Sequence, residues 1–375
     1  MKLENICIIQ AGGTPRRDIH NYWDNGTIPW VKISDIKDKF VNTTEELITQ
    51  EGLDNSSAKI FDRGTILYTI FATLGEVAIL NVDASTNQAI AGLKIIDENK
   101  VAQGYLYYYL VSRKRDVDKI GRGVAQNNIN MKILREMEII LPSLEEQKEI
   151  ADRLDKISDM IAKRKKQLAK LDQLVKSRFI EMFIGQGYPT KTIDEVSLVK
   201  GEYGAQSASV DYDPNRPRYV RITDINDDGT LNDDFVSSIN PIDDEQYRLE
   251  YGDFMFARMG ATVGKTYAFI EGNQIFAGYL IRYKLNQEII NPRYLYWYTR
   301  LDEYWNWVKL NQSGAAQPGI NAKKYGSLQV PVPPMELQEQ FAAFVEQIDK
   351  SKFEIQQSID KLETLKKSLM QQYFR

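Results

Sequence analysis

Val31-Lys32-Ile33-Ser34-Asp35-Ile36 returns as Val220-Arg221-Ile222-Thr223-Asp224-Ile225, an offset of 220 − 31 = 189, and every change between the two is conservative. The match extends along the chain and keeps its order. Residues 64–75 (GTILYTIFATLG) align with 252–264 (GDFMFARMGATVG) with one inserted residue, and Asn87-Gln88 with their next four residues align with Asn273-Gln274 and theirs. Residues 104–109 (GYLYYY) reappear as 293–298 (RYLYWY), and 123–130 (GVAQNNIN) as 314–321 (GAAQPGIN). A period near half the chain marks a duplicated structural unit.

Each repeat closes on prolines, Pro142 in the first and Pro331, Pro333 and Pro334 in the second, and then runs into a long charged segment. Ser143 with Glu146 reads as a capping box. Beyond it Leu154, Ile157, Ile161, Leu168, Leu171, Val175 and Met182 fall at three/four spacing, and Val345, Ile348, Ile355, Ile359, Leu362 and Leu369 repeat the register. Arg164, Arg178, Lys352 and Lys366 interrupt these stripes, which makes each a narrow seam rather than a core face. Neither segment contains Gly or Pro, and about 38 residues at 1.5 Å each give a rod of roughly 57 Å. A lone amphipathic rod leaves its stripe in water, so the simplest partner of one is the other. The first rod leaves domain one for domain two and the second starts from domain two, so the pair is expected to run antiparallel, with an approximate two-fold axis through its middle. The alternative is two separate helices that bind partners. Short β-branched and aromatic runs over 65–71, 77–81 and 92–96 read as strands, and 104–119 and 292–310 as helices. The expected fold is α+β: two similar α/β domains, 1–143 and 185–334, joined by antiparallel coiled-coil helices over 144–184 and 335–375.

Scarcity excludes much chemistry. Among 375 residues His20 is the only histidine and Cys7 the only cysteine, so zinc fingers, Cys–His dyads, Ser-His-Asp triads and intrachain disulfides cannot be assembled. A single cysteine, no apolar run long enough to span a bilayer and no N-terminal apolar segment point to a cytoplasmic protein without a membrane contact. The net charge of −4 argues mildly against a nucleic-acid partner, because phosphate binding needs clustered cations. Two related heads on a two-fold frame nevertheless match the symmetry of duplex DNA.

The loops carry suitable side chains, since Asn and Gln pair with adenine, Arg with guanine and Lys with phosphate. In the first repeat the candidates are Thr14, Arg16, Arg17, Lys32, Thr73, Asn87, Gln88, Arg122, Gln126, Asn127 and Asn128. In the second they are Arg221, Arg258, Thr262, Lys265, Asn273, Gln274, Gln317, Asn321, Lys323 and Lys324. Plainer readings stand beside them. Gly12-Gly13 also reads as an ordinary turn, the Asn-Gln pairs as strand caps, and Lys163 to Lys166 as a solvated helix face. The tyrosine runs at 105–109 and 294–298 fit a core better than a base-stacking surface. Asp35 and Asp224 need no catalytic role, and His20 reads as a surface residue. Phe183-Ile184-Gly185-Gln186-Gly187 has the form of a methyltransferase cofactor loop, and Asp213-Pro214-Asn215-Arg216 partly that of an adenine-methylation motif. The first follows a helix rather than a strand, and the second lacks its second proline and the aromatic that stacks on a flipped base. No catalytic or metal-binding residues are assigned.

Taken together, GGTP at 12–15 with Ile28-Pro29-Trp30-Val31, the Asn-Gln segments, the Gln…Ile-Asn loops, and Pro-Ser-Leu-Glu-Glu-Gln (142–147) with its counterpart Pro-Pro-Met-Glu-Leu-Gln (333–338) resemble the specificity (S, HsdS) subunits of type I restriction–modification systems. The resemblance covers essentially the whole chain. It departs at Leu337, where the first repeat has Glu146, and at Lys200-Gly201-Glu202-Tyr203-Gly204, which replaces GGTP. It implies two target-recognition domains on spacer helices, double-stranded DNA as ligand, and two modification subunits plus restriction subunits as partners. S-adenosylmethionine, ATP and magnesium would then belong to those partners, and this chain would hold no cofactor. A rival from another class is a dumbbell scaffold that organises two protein partners without DNA.

Overall fold

Strands Ile66–Thr69 and Val77–Leu80 are buried at every position, as expected of strands covered on both faces. In the computed structural model, which describes residues 1–114, 130–239, 245–314 and 318–374, they lie in a five-stranded sheet. Its order is Cys7–Ala11, Ile90–Ile95, Ile66–Thr69, Val77–Leu80, Phe40–Val41. Glu46–Ile48, Ile28–Val31 and Ser85–Thr86 form a second, three-stranded sheet. Helix Gln103–Ser112 places Tyr105, Leu106, Tyr109 and Leu110 in one core with Ile66, Tyr68 and Leu93.

The chain divides into two compact units, Met1–Lys165 with Gln356–Arg375, and Lys166–Ile355. The second unit repeats the central strand order of the first as Ser197–Tyr203, Leu280–Leu285, Asp253–Ala257, Thr266–Ala268. Beside it a sheet of Ser209–Asp211, Ser237–Ile239, Arg218–Val220 and Gln274–Phe276 takes the place of the three-stranded one. Both units are α+β. The single helix expected over 292–310 is instead two, Pro292–Tyr298 and Asp302–Asn311. Thr299 Oγ1 donates to the Tyr296 carbonyl at 2.9 Å, Leu301 is buried, and Asp302 and Glu303 open a new first turn, where acidic side chains favour a helix start.

The long helices run Leu144–Phe183 and Met335–Tyr373. Within the first unit Arg153 meets Tyr373 at 3.3 Å and Lys165 meets Glu363 at 2.9 Å. Within the second, Asp172 meets Lys352 at 2.6 Å and the Phe179 and Phe341 rings lie 5.2 Å apart. In each unit one number rises as the other falls, so the two segments are antiparallel. Exposed ion pairs contribute little. Burial carries the pairing: Leu154, Phe179, Phe183 and Phe341 have at most 2% of their surface exposed. The same helices leave Met160, Leu174 and Phe353 exposed, as a narrow seam requires.

The register residues Gln147 and Gln338, fully buried, turn out to be clamps. Gln147 Oε1 accepts from the Ala102 amide at 2.9 Å, while its Nε2 donates to the carbonyls of Lys100 at 2.9 Å and Pro142 at 3.0 Å. Gln338 accepts from Asn291 at 2.8 Å and donates to Ile289 at 3.1 Å and Pro333 at 2.8 Å. Two tyrosines per unit complete the joint. Tyr105 and Tyr109 donate to the carbonyls of Ile140 and Glu138, and Tyr294 and Tyr298 to those of Pro331 and Gln329. Against Tyr105 packs Phe374, with ring centroids 5.1 Å apart, and against Tyr294 packs Phe183 at 4.9 Å. The tyrosine runs are therefore core.

Removing a buried hydrogen-bonding side chain strands its partners at roughly 1–3 kcal/mol each. Gln147→Ala should thus destabilise the first unit by about 3 kcal/mol, more than twice the ordinary cost of a point substitution. Cys7 supplies the readout: it is 3% exposed, and burial pushes its thiol pKa up to about 12, so in the folded chain it should resist alkylation. Its alkylation rate under native conditions should rise on the order of 100-fold in the variant; an unchanged rate would refute the clamp.

Candidate nucleic-acid interface

In the first unit Gly12 and Gly13 are close-approach residues. Their amides donate to the carbonyls of Ile90 at 3.0 Å and Thr86 at 2.9 Å, and a Cβ on Gly12 would sit 2.0 Å from Thr86 Oγ1. This seats Thr14, whose hydroxyl donates to Gln88. Asn87 Oδ1 accepts from the Ala89 amide at 3.0 Å, closing a local turn. The Ile70 amide donates to the Ala89 carbonyl at 2.8 Å, which brings the turn carrying exposed Thr73 to the same edge. Thr14, Thr73, Asn87 and Gln88 therefore share one surface.

The basic candidates among this unit's described residues are occupied. Arg16 pairs with Asp18 at 2.6 Å. Arg17 pairs with Glu46 and stacks over Trp23 and Trp30, at 3.8 and 4.7 Å from the ring centroids. Lys32 contacts Glu46 at 2.8 Å and Glu45 at 2.9 Å, and hydrogen bonds to these two carboxylates push its pKa upward. Arg122, Gln126, Asn127 and Asn128 lie outside the described residues.

In the second unit the candidates separate into structural and open ones. Arg221 makes two bonds to Asp224, at 3.2 and 2.8 Å, and one to the Phe235 carbonyl at 2.8 Å. Asp224 also accepts from the Arg221 amide, just as Asp35 accepts from that of Lys32, so the shared aspartate caps a turn in both units. Lys265 is held by the Ile225 carbonyl at 3.0 Å and Asp227 at 2.8 Å. Asn321 caps helix Ala322–Gly326 through the Lys324 amide, as Asn130 caps Met131–Glu136 through that of Ile133. Thr262 Oγ1 donates to the Met259 carbonyl at 3.2 Å.

The Asn-Gln pairs do not occupy equivalent places. The Asn87 amide donates to Val31 and its carbonyl accepts from Ile90; in the second unit Ala277 makes both bonds, with Val220 and Leu280. Backbone geometry thus superimposes Asn87-Gln88 on Ala277-Gly278, four residues beyond Asn273-Gln274. Asn273 accepts from Arg248, and Gln274 accepts from the Tyr267 hydroxyl at 2.9 Å at the start of a strand. Both side chains serve the fold of their own unit.

What remains open is Arg258 with Lys323 and Lys324. Among the described residues none of the three joins an ion pair. The Ile320 amide donates to the Arg258 carbonyl at 2.9 Å and that of Gly260 to Pro318 at 2.9 Å, which places the 258–262 and 318–324 loops side by side. The Arg258 guanidinium lies 5.0 Å from the Tyr203 ring and 5.5 Å from that of Tyr279, and both rings are exposed, by 42% and 54%. Gln317 lies outside the described residues. Neither tyrosine is marked by the sequence, because loops far apart along the chain meet only in the fold.

Gly185 and Gly187 take positive φ just past the first long helix, where glycine ends a helix. Asp213 accepts from the Asn215 amide at 2.9 Å and pairs with Arg216, which makes that segment a turn. Among the described residues no helix is long and apolar enough to cross a membrane.

A family model described as the type I restriction modification DNA specificity domain matches residues 1–173 and again 186–366. The chain belongs to this specificity family. The two matches coincide with the internal repeat. A specificity subunit of the type I enzyme MjaIX from Methanocaldococcus jannaschii is 33% identical over 188 residues, covering 49% of this chain and 43% of that protein. The EcoR124I/EcoR124II specificity subunit of Escherichia coli is 29% identical over 158 residues, covering 40% and 38%. In these two alignments the chain covers about two fifths of each relative's length. The StySPI specificity subunit of Salmonella potsdam aligns over 95% of this chain and 83% of its own length at 20% identity. Among solved structures, the S subunit of a type I system from M. genitalium shares the fold with a TM-score of 0.59 at 14% identity, covering 100% of this chain and 95% of that one. A chain from a study of assembly and conformational transition in the type I system does so with 0.60 at 17%, covering 100% and 97%.

For a specificity-family chain built this way, Arg221→Ala should act on stability. It removes three hydrogen bonds and leaves Asp224, 4% exposed, without its cation, at a cost of about 2–4 kcal/mol. Lys323→Ala, at an exposed position, should stay within about 0.5 kcal/mol of the unaltered chain. Urea unfolding of the full chain compares the two, and equal midpoints would remove the distinction.

Proposed function

We propose that this chain is the DNA-specificity subunit of a type I restriction–modification complex, in which each unit reads one half of an asymmetric bipartite site on double-stranded DNA. The long helices set the separation of the half-sites and dock two modification subunits; restriction subunits join that assembly. The chain is not itself an enzyme. S-adenosylmethionine, ATP and magnesium act on the partner subunits.

One observation carries this reading. The side-chain bonds that tie the backbone are duplicated pair by pair, at Asp35 and Asp224, Gln147 and Gln338, Tyr105 and Tyr294, Asn130 and Asn321, whereas the exposed loop tips differ. Gly12 and Gly204 donate to the equivalent carbonyls of Ile90 and Leu280, yet the next side chains at that edge are Thr14 and Gln88 in one unit and Tyr203, Arg258 and Tyr279 in the other. Two heads that share a scaffold and differ at the tips suit a target with two unlike halves, since bases are read by individual side chains. The occupied cations at Arg16, Arg17 and Lys32 fit a head that specifies bases while partner subunits supply much of the phosphate contact.

Methylome sequencing of cells carrying loop variants tests the assignment. Thr14→Ala with Gln88→Ala should alter one half of the methylated motif, and Arg258→Ala the other; simultaneous change in both halves would refute it. The spacer has a geometric test as well. Because the helices pair antiparallel, seven residues inserted between Lys165 and Asp172 need seven more between Lys352 and Glu363 to keep register. The double insertion lengthens the helices by about 10 Å and should widen the gap by about three base pairs, at 3.4 Å per pair along one strand. An unaltered gap would end the ruler idea. A salt-insensitive complex, or none, with labelled duplex in the presence of the modification subunits would favour a scaffold without DNA.

A further inference from the structure

We infer that Tyr203, Arg258 and Tyr279 form a preorganised guanidinium clamp that reads a single guanine in the half-site of the second unit. This rests on the DNA-reading role proposed above and names the base that one part of that surface takes.

Arg258 follows the central strand Asp253–Ala257, buried at every position, and its amide donates to the Tyr279 carbonyl at 3.1 Å. Its backbone is therefore fixed by the sheet. Its Nε donates to the Gly278 carbonyl at 3.2 Å, and the two rings lie within stacking reach of the guanidinium carbon. Tyr203 is itself held, because its hydroxyl accepts from the Ala322 amide at 3.3 Å. The side chain is thus restrained by one hydrogen bond and two aromatic faces, while both terminal amino groups donate to nothing among the described residues.

Six other arginines of the second unit are committed. Arg216, Arg218, Arg221, Arg248 and Arg282 pair with carboxylates, and Arg300 spends its guanidinium on Thr266, Thr299 and the Tyr296 and Asp228 carbonyls. A carboxylate partner would neutralise the group, whereas an aromatic face restrains it and leaves charge and donors available. Two parallel N–H donors in one plane match O6 and N7 of guanine in the major groove and no other base edge as well. In the first unit the equivalent strand end is Ile70, which is buried and also donates to the opposite loop, so the clamp belongs to one half of the target.

The test is selection of randomised duplexes by the full chain assembled with its modification subunits. The unaltered chain should enrich a bipartite motif, and Arg258→Ala should relax one guanine position by roughly 10- to 100-fold while every other position is kept. Tyr279→Phe, which keeps the ring, should retain the preference; Tyr279→Ala should lose part of it, and all three variants should unfold at the same urea midpoint. Equal weakening on every duplex, the behaviour of a phosphate contact, would overturn the clamp and leave the DNA reading standing, as would relaxation at a position that is not guanine. An unaltered chain that enriches no sequence would remove both.

Discussion

A side-chain amide with no exposed surface, at the first turn of each long helix, is the constraint on which the rest of each unit depends. Gln147 and Gln338, whose side chains no water reaches, each join three backbone groups. An uncharged amide suits the task, since it offers both donors and an acceptor without burying a charge. The clamp fixes where the helix leaves its domain relative to the tyrosine-bearing helix. That geometry creates the slot filled by Phe374 in one unit and Phe183 in the other.

The first unit is consequently built from two stretches of chain and the second from one continuous stretch. The first closes only when Gln356–Arg375 returns to it, and the second takes in the last part of the first long helix. Leu369, Met370 and Tyr373 pack on the core of the first domain, as Val175, Phe179 and Phe183 enter that of the second. Helix pairing and domain closure are one packing event in each unit. An amphipathic rod that is marginal alone becomes stable by finishing a core.

On this duplicated frame, the exposed edges are where side chains can change at little cost in stability. Edge residues such as Gln88, Tyr203, Tyr279 and Lys323 are exposed, and changes there leave the buried bonds intact. Several charged residues that look available belong to the frame instead: Arg221, Lys265 and Lys32 are spent on nearby carboxylates and carbonyls. Net charge accordingly says little about which cations are available, because many are spent within the fold.

The sequence by itself determined the duplication, the α+β class of each repeat, the two long helices and their amphipathic seams, because periodicity and order survive in a linear text. It also marked Gln147, Gln338, Asp35 and Asp224 as matched positions. Their roles as clamps and caps, the break at Thr299, and the true register of Asn87-Gln88 against Ala277-Gly278 were decided only by tertiary structure. Those features depend on backbone hydrogen bonds between segments distant in sequence, and a four-residue shift in a loop leaves the hydrophobic pattern unchanged. The same holds for the open surface of the second unit: the sequence offers Arg258 as one loop cation among several, and only three strand ends meeting at one edge bring Tyr203 and Tyr279 to it.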